Sequence, residues 1–249
     1  NCGVAEANMV SLGCGMAACG LRPVAYTITP FITYRCIEQI RVDACYHNQP
    51  IIIVGVGSGL GYTSLGATHH SLEDIAMLRV LPNMTVLCPS DPVETRLALR
   101  EALQSSGPVY IRLGKKGEPV LHKEQPNFKI GEPIKLRQGD KLCILACGTI
   151  TPCALEVKDA AVFSFHTVKP LNGEFLRECF NTYNKIITLE EHSLIGGFGS
   201  AVAEWAVDNG VDTRKLKRFG TADKFFHGAN DYDQGIKELG LSVNIHERD

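Results

Sequence analysis

Short apolar runs alternate along the chain with stretches whose apolar residues recur every three or four positions. Runs at 23–28, 51–55, 84–88 and 109–112 are bounded by Gly, Pro, Asn or Asp and predict strands. Helical spacing occupies 32–46, 71–80 and 92–104. Asp91 followed by Pro92 reads as an acidic N-cap with proline at the first helical position. Ser71 with Asp74 three residues on reads as a capping box. Between 114 and 140 the periodicity fades into Lys, Gly, Pro and Gln, which predicts a linker. A second unit opens at 141–146, with strands expected near 161–165 and 185–189 and a helix at 200–208. Alternating strands and helices predict an α/β fold: two α/β domains with mainly parallel sheets, at 1–113 and 141–249. No internal repeat appears at solenoid periods.

Composition changes this picture little. In 249 residues, 45% hydrophobic and 21% charged, there is enough apolar material for a sizeable core. The net charge of −2 and the lack of a basic stripe argue against nucleic acid. No apolar run approaches the roughly 18 residues of a membrane span, and no signal-peptide pattern is present. The ten cysteines include no C-x-x-C pair, and several (Cys14, Cys19, Cys45, Cys143, Cys147) sit in apolar stretches. They read as small hydrophobes in a reducing cytosol.

Three segments carry candidate chemistry. Glu6 stands at the mouth of an apolar, glycine-punctuated helix that runs on from Val10 to Gly20. An exposed first-turn acid, favoured by the helix dipole, is the ordinary reading of such a residue. The second segment, 27–39, leaves a strand through Pro30, places Phe31 at a corner and enters a helix with Tyr34. The third runs from Gly55-Val56-Gly57-Ser58-Gly59-Leu60-Gly61 to Thr68-His69-His70. As a dinucleotide loop this last segment is weak, because its spacing is G-x-G-x-G-x-G and no ribose-binding acid follows at a convincing distance.

In this order and spacing the three segments resemble the pyrimidine-binding (Pyr) domain of the transketolase family of thiamine diphosphate enzymes. The resemblance continues through Leu81-Pro82-Asn83-Met84 and Pro89-Ser90-Asp91. It extends to a transketolase C-terminal domain at Val168-Lys169-Pro170-Leu171, Leu189-Glu190-Glu191-His192 and Gly196-Gly197-Phe198-Gly199. It implies thiamine diphosphate as cofactor, with the carboxyl of Glu6 hydrogen-bonded to the aminopyrimidine N1′ in a dry site. The same match makes Phe31 the ring that stacks on the pyrimidine and Tyr34 a pocket wall. His69 falls on a substrate-facing His suited to proton transfer near neutral pH. Lys115 and Lys116 lie where deoxyxylulose-phosphate synthases direct an Arg toward the substrate phosphate; a solvated pair is the plain alternative. Glu190, Glu191 and His192 match a family element near the subunit contact and are assigned no chemistry.

Departures and absences sharpen the expectation. Leu65 stands where transketolases carry an Asp, Gly57 where they carry a phosphate-facing His, and Ser58 where the deoxyxylulose-phosphate synthases have an Arg. These departures argue against an ordinary pentulose phosphate donor and leave a different ketose, a nucleotide-linked sugar or a 2-oxoacid open. Gly-Asp-Gly followed by Asn, the family's metal and diphosphate signature, is not found in these residues. Mg²⁺ and the diphosphate would then be held by an N-terminal-half partner subunit, in an α2β2 assembly. The reading is a two-carbon ketol transfer from a ketose to an aldehyde, as one subunit of a two-chain enzyme. Alternatives are a 2-oxoacid dehydrogenase E1 β subunit, a deoxyxylulose-phosphate-synthase-like enzyme, or a silent structural subunit. The short stretch 155–161 leaves little room for a crossover helix, and the chain opens directly at the Glu6 helix; both suggest that natural segments are missing there.

Overall fold

In the computed structural model, which describes residues 1–228 and 231–241, the strands gather into two five-stranded sheets. The first contains β1 (Val24–Ile28), β2 (Ile52–Val56), β3 (Thr85–Leu87), β4 (Val109–Arg112) and a strand from the second half of the chain. β1, β2, β4 and β3 lie side by side in parallel. The second sheet contains β5 (Ile134–Arg137), β6 (Leu142–Cys147), β7 (Ala160–Ser164), β9 (Lys185–Ser193) and β10 (Leu216–Thr221), in the order β10-β9-β6-β7-β5. Again four strands are parallel, and β5 pairs antiparallel with β7 at the edge. β8 (Thr167–Lys169) crosses back and closes the first sheet, antiparallel to β3.

The central strands are buried on both faces, as their nearly unbroken apolar runs require. One apolar cluster runs through both sheets, from Val10 and Ile53 to Leu145 and Phe198. All ten cysteines are free; seven are buried, whereas Cys19, just beyond the first helix, is exposed.

The helices are α1 (Glu6–Ala18), α2 (Thr29–Ile32), α3 (Ile37–Gln39), α4 (Asp74–Arg79), α5 (Pro92–Ala102), α6 (Thr151–Ala154), α7 (Gly173–Thr182), α8 (Phe198–Asp208) and α9 (Tyr232–Glu238). The helix expected over 32–46 is broken: a 3₁₀ turn at Tyr34–Cys36 precedes α3, and Ile40–Tyr46 is a π-helix. The Asp91 cap forms as expected, its side chain accepting from Glu94 N at 2.7 Å. The Ser71 capping box does not form. Ser71 pairs through its backbone with Gly59, and α4 starts only at Asp74, which is buried as a counter-ion.

The stretch expected as a linker contains β5, whose Arg137 performs a specific task. Its guanidinium donates to the carbonyls of Ala160 (2.9 Å), Leu155 (2.9 Å) and Val157, which lie at or beside the short crossover between β6 and β7. A 3₁₀ turn and the single turn of α6 thus suffice to return the chain to a parallel neighbour.

Candidate active site

Glu6 is the first residue of α1, and only 8% of it remains exposed. Ala5 at the N-cap offers no side-chain cap, so the helix's own N–H groups and positive end face this carboxylate. Burial works to raise its pKa, but the bond to its own backbone N–H and the hydrogen bond and charge of Arg35 outweigh burial. The net shift is downward, so Glu6 is ionised at neutral pH. Arg35 Nη1 donates to Glu6 Oε2 at 2.6 Å.

A line of side chains leads away from that ion pair. The Arg35 guanidinium lies over the Phe31 ring, 4.7 Å from its centroid. Phe31 meets the edge of His69 at 5.1 Å between centroids, and His69 meets Tyr62 at 6.3 Å. Lys115 Nζ stands 4.9 Å from the centre of the Tyr62 ring. The fold therefore gathers Glu6, Phe31, His69 and Lys115, which are more than a hundred positions apart at the extremes, into one continuous group. Arg35 and Tyr62 are the members that sequence reasoning missed. For Arg35 a signal existed: it stands four residues after Phe31, a spacing at which helical side chains meet.

Tyr34 points elsewhere. Its hydroxyl donates to Glu73 Oε2 at 2.6 Å and lies 3.2 Å from Ser71 Oγ, so only its ring remains to serve as a wall. His69 uses Nδ1 toward Thr68 Oγ1 at 3.0 Å, while the neighbouring His70 is buried and stacked on Phe226 at 6.0 Å. Burial lowers the His70 pKa, which suits a neutral packing residue.

The glycine-rich loop is no phosphate cradle. The N–H groups of Gly57, Ser58, Gly59 and Gly61 donate to the carbonyls of Gly114, Leu113, Ser71 and Ser58. Leu60 N donates to Glu191 Oε1. No donor from 57 to 61 is left for a ligand. Gly57 has φ +70°, and a side chain there would collide with the Tyr62 ring.

Asp91, Glu94 and His122 form the one group with metal-like spacing among the described residues. Its atoms are already engaged. Glu94 Oε2 accepts from Ser90 N and Ser164 Oγ, Glu94 Oε1 meets His122 Nε2 at 2.8 Å, and Asp91 accepts from Glu94 N and Leu121 N. The group ties the first sheet to the second and does not fit a Mg²⁺ held beside a diphosphate.

Glu190, Glu191 and His192 also lie where the two sheets meet. Glu190 caps α8, accepting from Phe198 N and Gly199 N at 2.6 Å each, and burial nonetheless pushes its pKa up to about 7. His192 donates from Nδ1 to Ser193 O and accepts from Ala76 N, and burial lowers its pKa to about 4. Below the ordinary value of 6.5 the unfolded chain takes a proton that native His192 refuses, so stability drains away as pH falls toward about 4. His192→Gln should remove that loss. In urea midpoints the variant is expected to gain on the wild type progressively between pH 6.5 and about 4. A constant difference across that window would show that His192 is protonated in the native state.

The fold thus sets two mainly parallel α/β units together and gathers a buried carboxylate, an aromatic ring and an imidazole beside the first of them. The family model for the transketolase pyrimidine-binding domain matches residues 1–118, and that for the transketolase C-terminal domain matches 131–242. A subunit of the apulose-4-phosphate transketolase of Actinobacillus succinogenes is 34% identical over 98% of this chain and 81% of its own length. A 6-deoxy-6-sulfo-D-fructose transketolase subunit from a Clostridium species is 36% identical over 97% of this chain and 76% of its own. Among solved structures, a split-gene transketolase described as an inactive β4 tetramer superposes with a TM-score of 0.87 at 33% identity, over 96% of this chain and 78% of that one. The chain belongs to the transketolase family.

Proposed function

We propose that this chain is the pyrimidine-binding subunit of a two-chain transketolase, and that the assembled enzyme moves a two-carbon ketol unit from a ketose to an aldehyde. The observation that carries the reading is the buried, ionised Glu6 at the start of α1, in line with Phe31 and His69. Thiamine diphosphate, when bound, supplies the nucleophilic carbon that takes up the ketol unit. Glu6 holds its carboxyl for the pyrimidine N1′. Phe31 offers its ring to the pyrimidine, with the Tyr34 ring as a wall nearby. His69 exchanges a proton with the carbonyl or hydroxyl oxygen of the donor. Lys115 holds an anionic end of the substrate. Retention of Glu6, Phe31 and His69 together speaks against a silent structural subunit.

Mg²⁺ and the diphosphate are assigned to an N-terminal-half partner, and the stoichiometry to α2β2. Support comes from the engaged N–H groups of the glycine loop and the engaged Asp91–Glu94–His122 group. A relative of similar extent is itself named as one subunit of a transketolase. Among the described residues no helix is long and apolar enough to cross a membrane. The ten free cysteines favour a reducing cytosol as the site of action.

The chain alone should be inactive. Calorimetry with thiamine diphosphate and Mg²⁺ is expected to show little heat until the partner is added, whereupon binding and turnover appear together. Tight binding by the isolated chain would overturn the division of labour.

Donor choice follows from two positions. Leu65 is half exposed on the His69 loop, and the space a side chain at Gly57 would need is filled by Tyr62. A wall without an Asp and a His discriminates weakly against hydroxyl variants. The relatives are named for apulose 4-phosphate and a 6-deoxy-6-sulfo-D-fructose, neither of which is the ordinary pentulose phosphate. Across a panel of ketoses, kcat/KM should be poorly selective for the C3 configuration and low for xylulose 5-phosphate. If xylulose 5-phosphate proves the best donor, with strict stereoselectivity, the argument from Leu65 and Gly57 fails.

A further inference from the structure

The loop that carries His69 belongs to the first sheet but is held by the second. Its neck is closed by reciprocal bonds at 2.9 Å, Gly59 N to Ser71 O and Ser71 N to Gly59 O. Immediately inside that neck, the fully buried carboxylate of Glu191 on β9 accepts from Leu60 N at 2.6 Å through Oε1. Its other oxygen accepts from Tyr232 Oη at 2.8 Å. On the opposite strand of the neck, Arg112 Nη2 donates both to Ser71 O (3.0 Å) and to the backbone carbonyl of Glu191 (2.9 Å). Gly59 has φ +64°, and any side chain there would strike the Glu191 carboxylate. Leu60 packs with Phe226, Ile236 and Leu239 of the second domain, and Phe226 stacks on His70. Within the loop, tight turns run from Leu60 O to Thr63 N and from Gly66 O to His69 N. The position of the neck is therefore transmitted to the imidazole through short, saturated turns.

We propose that Glu191 is a positioning residue of the active site: from the second domain it fixes the neck of the 59–71 loop and so sets where His69 stands. The proposal rests on the reading of His69 as substrate-facing. It gives the C-terminal domain a part in the reaction through the position of the loop. A carboxylate is suited to the task because it can accept from a loop N–H and from Tyr232 at once, in a site where an unpaired N–H would be unfavourable.

The test is hydrogen exchange by mass spectrometry on the assembled two-chain enzyme, with kinetics on the same samples. Glu191→Ala should speed exchange in peptides covering 59–71, leave the strands of the second sheet protected, and lower kcat by about 10²-fold, as displacement of a reacting group by about 1 Å does. Cofactor affinity, which depends on the partner's diphosphate site together with Glu6 and Phe31 and not on His69, should change far less. Glu191→Gln still offers an oxygen to Leu60 N and should restore both exchange and kcat. Tyr232→Phe, which removes only one of the carboxylate's two partners, should give an intermediate exchange rate. Unchanged exchange at 59–71 in Glu191→Ala would overturn the proposal, and so would exchange that rises equally across the whole second sheet. His69→Ala separates the two readings: it should lower turnover without altering exchange. A fully active His69→Ala enzyme beside a loosened Glu191→Ala loop would refute the role of His69 and uphold the clamp.

Discussion

Glu6→Gln is expected to lower turnover by about 10²–10⁴-fold while the protein stays folded, the range associated with loss of a positioned proton-transfer group. The substitution keeps the volume and one oxygen but removes the charge. An amide cannot drive the pyrimidine toward the imino form that Glu6 favours in the assigned role. Stability should barely change. Arg35, the partner of Glu6, is half exposed, and such pairs contribute about 0–1 kcal/mol. That asymmetry separates catalysis from folding. The direct measurement is C2 proton exchange on thiamine diphosphate bound to the assembled enzyme, followed by NMR, with melting curves recorded alongside. Exchange at the wild-type rate in Glu6→Gln would remove Glu6 from the mechanism. A large drop in melting temperature with normal exchange would make it a structural residue instead.

The largest effect on stability is expected at Arg112. It is buried with Asp74, Nε donating to Asp74 Oδ2 at 2.9 Å, and Asp74 also accepts from Tyr110 Oη at 2.7 Å. Burial acts to raise the Asp74 pKa, but the charge of Arg112, the nearby His192 and these hydrogen bonds carry it below the usual carboxylate range. Arg112→Leu leaves a buried carboxylate without its cation and takes a donor from the carbonyls of Ser71 and Glu191, Ser71 O keeping only its bond from Gly59 N. Breaking a buried pair in this way costs about 3–5 kcal/mol. Chemical denaturation should show a midpoint lowered accordingly. The double variant Arg112→Leu with Asp74→Leu should recover much of the loss, because two apolar residues leave no unpaired charge. A loss below about 1 kcal/mol in the single variant would show that water reaches Asp74 and that the sheets are not held together there.

Much of this architecture was legible in the chain itself, for identifiable reasons. Strands β2, β4 and β6 are buried on both faces and so appear as continuous apolar runs. Asp91-Pro92 starts α5 because capping depends on neighbours in sequence. Misreadings arose where tertiary contacts outbid local preference. Ser71 and Asp74 have cap-like spacing but are drawn to Gly59 and Arg112. β9 runs through Glu190, Glu191 and His192 to Ser193, beyond the apolar run ending at Leu189, because each polar side chain finds a partner in the interior. β5 was hidden in a polar stretch because an edge strand is only half buried.

By itself the sequence determined the two α/β units, the helix that begins at Glu6 and the order of the segments bearing Glu6, Phe31 and His69. Each of these depends on periodicity or on residues close together in the chain. Only the tertiary structure decided which charge meets which. Glu191 and Leu60 are 131 positions apart, and β8 completes a sheet begun well over a hundred residues earlier. A buried carboxylate is tolerable only with a partner, and in a low-dielectric interior the identity of that partner sets its charge. Periodicity reports that a residue turns inward; it carries no information about what will be waiting there.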